Sequence, residues 1–272
     1  MKPRCDATLA RLCRRLKPLR RALRVLLATA VAGPAAAGSG PTLPLPAADR
    51  EMIERNLGKG VVGAPVPAPV IDDPARWFRL APGAAAYKVV HGPREGDLES
   101  FRLSADPRSS GSHRWRYHFG EEEVGLLEVR PDGSYVLAGT HAIKDGAVTR
   151  YNPPEPLLLK GLAPGEERRQ RMEVRVYDAD SPDEVTYEGL LSVAHRYVGA
   201  YRFTGPAGSY DAILTKSTFS GHVGPAELED TQYRFFAPKV GVLAAIERRS
   251  VSALLVYRTN MEVARMLAEP GR

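Results

Sequence analysis

Hydrophobic and polar positions alternate in short runs from about residue 77 onward, and Gly, Pro and Asp separate the runs. Because side chains alternate across a β-strand, this two-residue period predicts antiparallel strands rather than helices. In the run from His113 to Phe119 one face is mainly aromatic and the other is basic, and a longer run from Val185 to His195 has apolar residues at alternate positions. We predict about ten to twelve strands with little helix, and hence a mainly β protein in which a long antiparallel sheet curls into an open barrel or forms a bent sandwich.

Turn and cap residues divide this region further. The Asp-Gly pairs at 132–133 and 145–146 predict hairpin turns, since this pair tolerates the positive φ that tight β-turns require. Residues 243–246 and 251–257 predict a closing hairpin. Asn260 is a residue type that caps helices, so we predict a last short helix from Met261 to Leu267.

A segment rich in proline, residues 38–75, precedes the strands. Proline cannot donate a hydrogen bond to a strand ladder, so we interpret this segment as an arm outside the sheet. Within it, residues 48–57 predict one short helix, with Asp49 as a possible cap and Gly58 as the stop. The Val-Pro-Ala-Pro sequence at 66–69 favours polyproline II and thus a rigid spacer.

Residues 1–37 have the form of an export signal. A basic stretch leads into the apolar run 22–37, which ends in the small residues Ala35, Ala36 and Ala37. This run is too short for a ~30 Å hydrocarbon core, which needs roughly 20 apolar residues. We therefore expect a periplasmic or secreted bacterial protein without a membrane anchor, consisting of a signal (1–37), a proline-rich arm (38–75) and an antiparallel β domain (76–272).

Charge and cysteine content exclude several functions once the signal is set aside. The whole chain has a net charge of +6, but this excess comes from the predicted signal, and the remaining chain is close to neutral. The charge of the remaining chain therefore gives no reason to expect nucleic-acid binding. Both cysteines, Cys5 and Cys13, also lie in the signal. The mature chain thus cannot form a disulfide, use a thiolate or bind zinc through cysteine.

No motif in the chain points to a cofactor, a metal or a known catalytic mechanism. The histidines are too dispersed for a zinc signature, and His195, on an apolar strand face, is interpreted as a hydrogen-bonded core or rim residue. The acidic loop 178–184 lacks the turn Gly and the distal Glu of a calcium loop. Nucleophile elbows, P-loops and dinucleotide fingerprints are missing from the sequence.

Two short motifs, Pro206 to Ala212 (PAGSYDA) and Phe235 to Leu243 (FFAPKVGVL), resemble those of a family of exported bacterial proteins of unknown function. In that family a long antiparallel sheet curls into an incomplete barrel similar to the lipoprotein-carrier and lipoprotein-receptor folds. The resemblance covers residues 155–258. It implies that the first motif opens a strand, and that the second ends one strand, turns at Pro238 and Gly241, and starts the next. It implies no binding or catalytic residue.

A curled sheet with space inside could enclose an apolar ligand. The candidate ligand-binding residues are aromatic: Trp115, Tyr117, Phe119, Tyr201, Phe203 and Phe235. The alternative is that these side chains simply fill the core. The basic face of the 113–119 run is a candidate anion site, formed by Arg114, Arg116 and His118, although exposed basic residues are usually only solvated.

The leading hypothesis is non-catalytic binding of an apolar or amphipathic envelope molecule, such as a lipid-like ligand. The alternative is a structural or assembly partner that docks another envelope protein through a sheet edge. A hydrolase without a recognisable motif is the third hypothesis. A binder needs an interior cavity, whereas a docking protein needs a filled core and an exposed apolar patch.

Overall fold

The computed structural model describes residues 40–107, 109, 113–253 and 257–269. The predicted export signal, residues 1–37, lies outside these ranges. The described elements are α1 (Ala47–Leu57), β1 (Val62–Val66), α2 (Pro74–Trp77), β2 (Gly83–His91), β3 (Leu98–Ala105), β4 (Arg114–Phe119), β5 (Glu123–Val129), β6 (Tyr135–Ala142), β7 (Ala147–Leu158), β8 (Glu167–Asp178), β9 (Ser181–Gly205), β10 (Gly208–Val223), β11 (Ala226–Ala237), β12 (Gly241–Ala253) and β13 (Tyr257–Glu269). Neither helix in these ranges has the length and apolar character needed to span a bilayer.

The strands β2 to β13 form a barrel of simple up-and-down topology. Each of these strands pairs antiparallel with the one before and the one after it in the chain, and β13 pairs with β2. The β13–β2 pairing joins Ala264 to His91 and Leu267 to Tyr87. The mainly β, antiparallel fold class is confirmed, and the sheet is a closed barrel rather than an open one. Closure pairs the backbone groups that two free edge strands would leave unsatisfied.

The proline-rich segment contributes a strand to this sheet. The long strand β9 pairs with β8 as far as Arg196, and its last part, Ala200 to Phe203, pairs with β1. Strand β1 therefore pairs with the part of β9 that β8 does not reach. Residues around Val66, expected as a polyproline II spacer, thus include a short strand with Pro65 within it.

Helix α1 packs on the outer face of β9 to β13. Its buried residues Ile53 and Leu57 belong to one apolar core with Tyr201, Phe203 and Phe235. The predicted helix is confirmed, but its Asp49 does not cap it, since the N-cap position is Pro46 and has no side-chain cap bond. The Asp49 carboxylate instead reaches across to the barrel wall.

Asp49 holds α1 to the barrel through two polar contacts. It is 4% exposed, and its Oδ1 accepts a hydrogen bond from Lys216 Nζ at 2.7 Å and another from the Tyr233 hydroxyl at 2.7 Å. Lys216 and Tyr233 lie on β10 and β11 and point out of the barrel. A buried carboxylate with one charged and one neutral donor is the kind of paired group that an interior tolerates.

The predicted C-terminal helix, Met261 to Leu267, is wrong, because these residues belong to β13. Asn260, the expected cap, pairs with Ser250 of β12 in the strand ladder. The register of β13 against β2 shifts between Ala264 and Arg265. Such an irregularity interrupts the two-residue alternation, so the apolar positions on either side of it take on a helix-like spacing.

The two predicted Asp-Gly turns are confirmed, but the predicted closing hairpin is wrong, because residues 243–246 and 251–253 lie in the one strand β12 and residues 248–250 between them are paired in the sheet. Gly133 and Gly146 adopt positive φ values of 89° and 61° in the hairpins that join β5 to β6 and β6 to β7. The first of the two family-like motifs opens β10 after a turn at 206–207, and the second ends β11, turns at 238–240 and starts β12. These outcomes match the structural reading that the resemblance implied.

One end of the barrel is filled. Trp77 and Phe78, at the end of α2, pack with Leu127, Tyr197 and Phe236 from the strand ends nearby. These strand ends are the ones joined by the β5–β6, β9–β10 and β11–β12 turns. The filled core leaves the opposite half of the barrel as the place where open space can remain.

Candidate functional site

The barrel encloses a cavity of about 870 Å³ between the filled core and the opposite rim of hairpins. Its lining reaches from Phe78 at the core to Pro93, Ala142 and Pro225 near the rim. A volume of this size lies in the range of roughly 300–1,000 Å³ that is typical of ligand pockets. The cavity has three kinds of wall: aromatic, aliphatic and charged.

The aromatic wall is formed by β2, β3 and β4. Phe101 contacts three other rings of this wall, with centroid distances of 6.0 Å to Tyr87, 5.9 Å to Tyr117 and 5.9 Å to Phe119. It also lies 6.4 Å from the ring of Phe78 in the filled core. The Tyr87 hydroxyl donates a hydrogen bond to the Val242 carbonyl at 2.7 Å, which ties this group to β12. Mutually packed rings of this kind offer a large apolar surface in a defined arrangement.

The wall across the barrel, on β8 to β11, is mainly aliphatic, and we call it the aliphatic wall. Met172, Leu191 and Phe219 belong to one buried cluster, and Leu228 packs against it at the cavity surface. These side chains come from four neighbouring strands, one from each, and all four line the cavity. The cavity therefore has apolar surface on two sides.

A charged cluster on β11 and β12 forms the third wall. Arg249 Nη2 lies 3.3 Å from Asp230 Oδ2 and 2.6 Å from Glu247 Oε1. The same Asp230 Oδ2 accepts a hydrogen bond from Gln232 Nε2 at 2.8 Å. We call Asp230, Gln232, Glu247 and Arg249 the lumen polar cluster. Charged side chains thus face the inside of a barrel whose neighbouring walls are apolar.

Arg234 and Glu155 extend this wall towards β7. Arg234 Nη2 lies 3.4 Å from Glu155 Oε1, and Glu155 is only 5% exposed. Burial raises the pKa of Glu155 from its ordinary value of 4.5 to about 7; Arg234 opposes this shift, and the Asp230 and Glu247 carboxylates add to it. Glu155 is therefore partly protonated near neutral pH.

We expect the Glu155→Gln variant to lose less stability than the wild type as the pH rises from 4.5 to 8. A folded-state pKa above the unfolded value means that the folded protein still holds the proton where the unfolded chain has released it, so stability falls as the pH rises through 7. The difference amounts to about 2 to 3 kcal/mol in the free energy of unfolding. Urea unfolding at a series of pH values measures it; parallel curves for the two proteins would contradict the assignment.

His195 is a buried structural residue, as its strand position predicted. It has no exposed surface, and its Nδ1 lies 2.8 Å from the Ser217 hydroxyl oxygen. Burial, followed by the charges of Arg234 and Arg168, lowers the pKa of His195 to about 3. The imidazole is therefore neutral at physiological pH and is held in the wall between β9 and β10.

The structure brings only part of the predicted aromatic set to the cavity. Tyr117 and Phe119 line it, whereas Trp115 lies in the filled core. Tyr201, Phe203 and Phe235 do not reach the cavity, since they are buried outside the barrel under α1. The reason is the alternation along each strand: on β11 the even-numbered residues face the lumen, so Phe235 faces outward.

The predicted anion-binding residues are also separated. Arg114 and Arg116 line a different groove, of about 660 Å³, bounded by β4 to β8, and His118 does not line it. Arg114 pairs with Glu128 at 2.8 Å, and Arg116 pairs with Asp106 at 2.8 Å. Both guanidinium groups already have carboxylate partners, so an added anion would have to compete with these ion pairs.

The lumen polar cluster was not found from the sequence. Asp230, Gln232 and Arg234 alternate with aromatic residues on β11, and such a face is ordinarily read as solvent-exposed. Only the closed barrel turns it inward. Across the described ranges, no three His, Cys, Asp or Glu residues lie close enough together to hold a metal ion.

Comparisons with known proteins find distant likeness in fold and none in sequence. No protein-family model and no curated protein matches the chain. A protein from Bacteroides fragilis, described as exported and of YmcC-like fold, aligns with a TM-score of 0.40 at 12% identity over 72% of this chain and 98% of its own.

Two further solved structures align in the same way. The hypothetical lipoprotein YmcC from Escherichia coli has a TM-score of 0.39 at 10% identity, over 70% of this chain and 88% of its own. A protein from Parabacteroides distasonis, described as a lipoprotein, has a TM-score of 0.34 at 11% identity, over 72% and 97%. At these values the likenesses carry no argument about activity.

Proposed function

We propose that this chain is an exported protein that binds an amphipathic molecule of the bacterial envelope inside its barrel. The apolar part of the ligand lies between the aromatic and aliphatic walls, and its polar end lies at the lumen polar cluster. The observation that carries the proposal is the cavity of about 870 Å³, which has both kinds of surface on its walls.

The size of the barrel supports this proposal. Barrels of about eight strands are just wide enough for side chains to fill their interior or to hold one small ligand, and wider ones leave more space. Here 12 strands close the ring in the described ranges, and the core around Phe236 fills only one end of it. The remaining interior has no protein segment from the described ranges in it, so it is available to a ligand.

The closed ring also favours binding over docking through a sheet edge. Strand addition uses a row of unpaired backbone groups on an exposed edge strand. In the described part of the chain, β2 to β13 pair around the whole barrel, and β1 covers part of β9.

The direct test is to purify the exported protein gently from a bacterial periplasm and record its native mass spectrum. Organic extraction then releases any bound molecule for identification. A stoichiometric amphipathic mass supports the proposal. A ligand-free mass on a folded protein, together with no binding of an apolar fluorescent probe such as N-phenyl-1-naphthylamine, would contradict it.

We expect the Leu228→Trp variant to bind the same fluorescent probe at least tenfold more weakly than the wild type. Leu228 packs at the aliphatic wall, so a larger indole ring would occupy space that the ligand needs. The matched control is Glu229→Trp, which adds the same ring at the next, outward-facing and exposed position of β11. Fluorescence titration measures both, and equal affinities in the two variants would argue against binding in the cavity.

A further inference from the structure

The lumen polar cluster has three buried polar atoms without a hydrogen-bond partner in the described protein. They are Asp230 Oδ1, Gln232 Oε1 and Arg249 Nε. Asp230 is 5% exposed and Gln232 is 8% exposed, whereas the Arg249 side chain is 41% exposed and only its Nε is buried. All three side chains line the cavity. Unsatisfied buried groups are rare and costly in proteins, so three of them at one place call for a partner that the protein itself does not supply.

The three atoms belong to side chains that meet at one atom, Asp230 Oδ2. Asp230 Oδ2 accepts a hydrogen bond from Gln232 Nε2 at 2.8 Å and another from Arg249 Nη2 at 3.3 Å. The second carboxylate oxygen, the amide oxygen and the Nε–H of Arg249 are left without a partner. Neighbouring protein atoms cover all three, so a ligand in the cavity contacts them after a rotation of these side chains. The set therefore consists of two acceptors and one donor.

The charges along the cavity wall do not favour an acidic head group. Each of the four guanidinium groups in the lining already contacts a carboxylate: Arg94 contacts Glu99 and Glu122, Arg234 contacts Glu155, Arg249 contacts Asp230 and Glu247, and Arg265 contacts Glu99. Glu123 also lines the cavity and has no ion pair with any described residue. A phosphate or carboxylate would thus lie among acidic oxygens and guanidinium groups that are already paired with carboxylates.

We infer that the polar end of the cavity takes an uncharged head group with neighbouring hydroxyls, as in a monoacylglycerol. This inference rests on the proposed binding of an amphipathic molecule in the barrel. A hydroxyl can donate as well as accept, so a diol donates to Asp230 Oδ1 and to Gln232 Oε1 and accepts from Arg249 Nε. A carboxylate has no proton to donate to Asp230, and an ammonium group cannot accept from Arg249.

The test compares three probes with the same saturated chain and different heads: monomyristoylglycerol, myristate and myristylamine. Each displaces N-phenyl-1-naphthylamine from the full exported protein in a fluorescence titration. We expect monomyristoylglycerol to bind at least tenfold more tightly than the other two, since each unmatched polar contact costs about a factor of ten.

Variants locate the preference at the cluster. Gln232→Leu removes one acceptor and should weaken monomyristoylglycerol binding about tenfold while changing myristate binding little. Asp230→Asn replaces a carboxylate oxygen by a group that can donate, so it should reduce the preference for the diol over myristate about tenfold even if Gln232→Leu does not fold. The matched control is Thr231→Val, on the opposite face of β11, which should leave all three affinities unchanged.

The outcomes separate this inference from the proposed function. If the fluorescent probe and all three amphiphiles fail to bind, the proposed function itself is wrong. If the three amphiphiles bind with equal affinity, or if myristate or the amine binds best, the cavity binds apolar chains but the polar atoms are satisfied by water, and the head-group inference is overturned. A preference for the diol that neither cluster variant changes would also overturn it.

Discussion

Replacement of Phe235 by Ala is expected to lower the free energy of unfolding by about 3 to 5 kcal/mol without weakening ligand binding by the folded protein. Phe235 has no exposed surface, and its ring centroid lies 5.1 Å from that of Phe203 in the core under α1. Truncation would leave a cavity between the barrel wall and α1 that neither element can close easily. The barrel interior lies on the other side of the sheet and would be unaffected.

The same substitution at Phe119 is the matched comparison. Phe119 lines the cavity and is only partly buried, so Phe119→Ala should cost less stability, about 1 to 2 kcal/mol, but should weaken probe binding at least tenfold. Urea unfolding and fluorescence titration of both variants measure the two effects. If Phe235→Ala weakened binding as strongly as Phe119→Ala under conditions where both are fully folded, the division between outer core and binding cavity would be incorrect.

Asp49→Ala is expected to destabilise the protein by about 3 kcal/mol or more. The substitution leaves the Lys216 ammonium and the Tyr233 hydroxyl without the carboxylate that each contacts at 2.7 Å. The Lys216 side chain is 27% exposed, so its ammonium is only partly buried. Removing its partner is still more costly than losing an exposed pair, because a partly desolvated charge is left without compensation. Burial and the neighbouring Asp49 also raise the pKa of Tyr233, so this hydroxyl stays neutral and remains a donor in need of an acceptor.

Glu51→Ala is the control for this prediction, because Glu51 lies on the same helix in an exposed pair with Arg55. It should change the free energy of unfolding by less than about 0.5 kcal/mol. Asp49→Asn, which keeps an acceptor oxygen, should fall between the two variants. Equal unfolding midpoints for Asp49→Ala and Glu51→Ala would show that the Asp49 contacts do not hold α1 to the barrel.

The local part of this structure was predictable because its signals are local. The hairpin glycines at 133 and 146, the strand runs and helix α1 follow from backbone preferences and from the side-chain period within a few residues. The prediction was wrong for residues 261–267, where an irregularity in β13 interrupts that period. In that segment the pairing with β12 and β2 decides the conformation, and β2 lies near the other end of the described chain.

The candidate site was predictable only in part for the same reason. The alternation along β4 placed Tyr117 and Phe119 on one face, and both line the cavity. The same alternation along β11 separated Asp230 and Gln232 from Phe235, but it did not show which face was inside. A polar face next to an aromatic face ordinarily lies in solvent, and the aromatic one in the core.

The residue pattern alone thus specified most of the strands, the two Asp-Gly turns and the division of these strands into two faces, because these depend on neighbouring residues. Closure of the β13–β2 pairing, and the covering of the outer face of β11 by α1, depend on contacts between segments far apart in the chain. Those contacts turned the polar face of β11 towards the lumen and buried the aromatic face outside. Tertiary structure, and not the local pattern, therefore decided that Asp230, Gln232 and Arg249 meet apolar walls around one cavity.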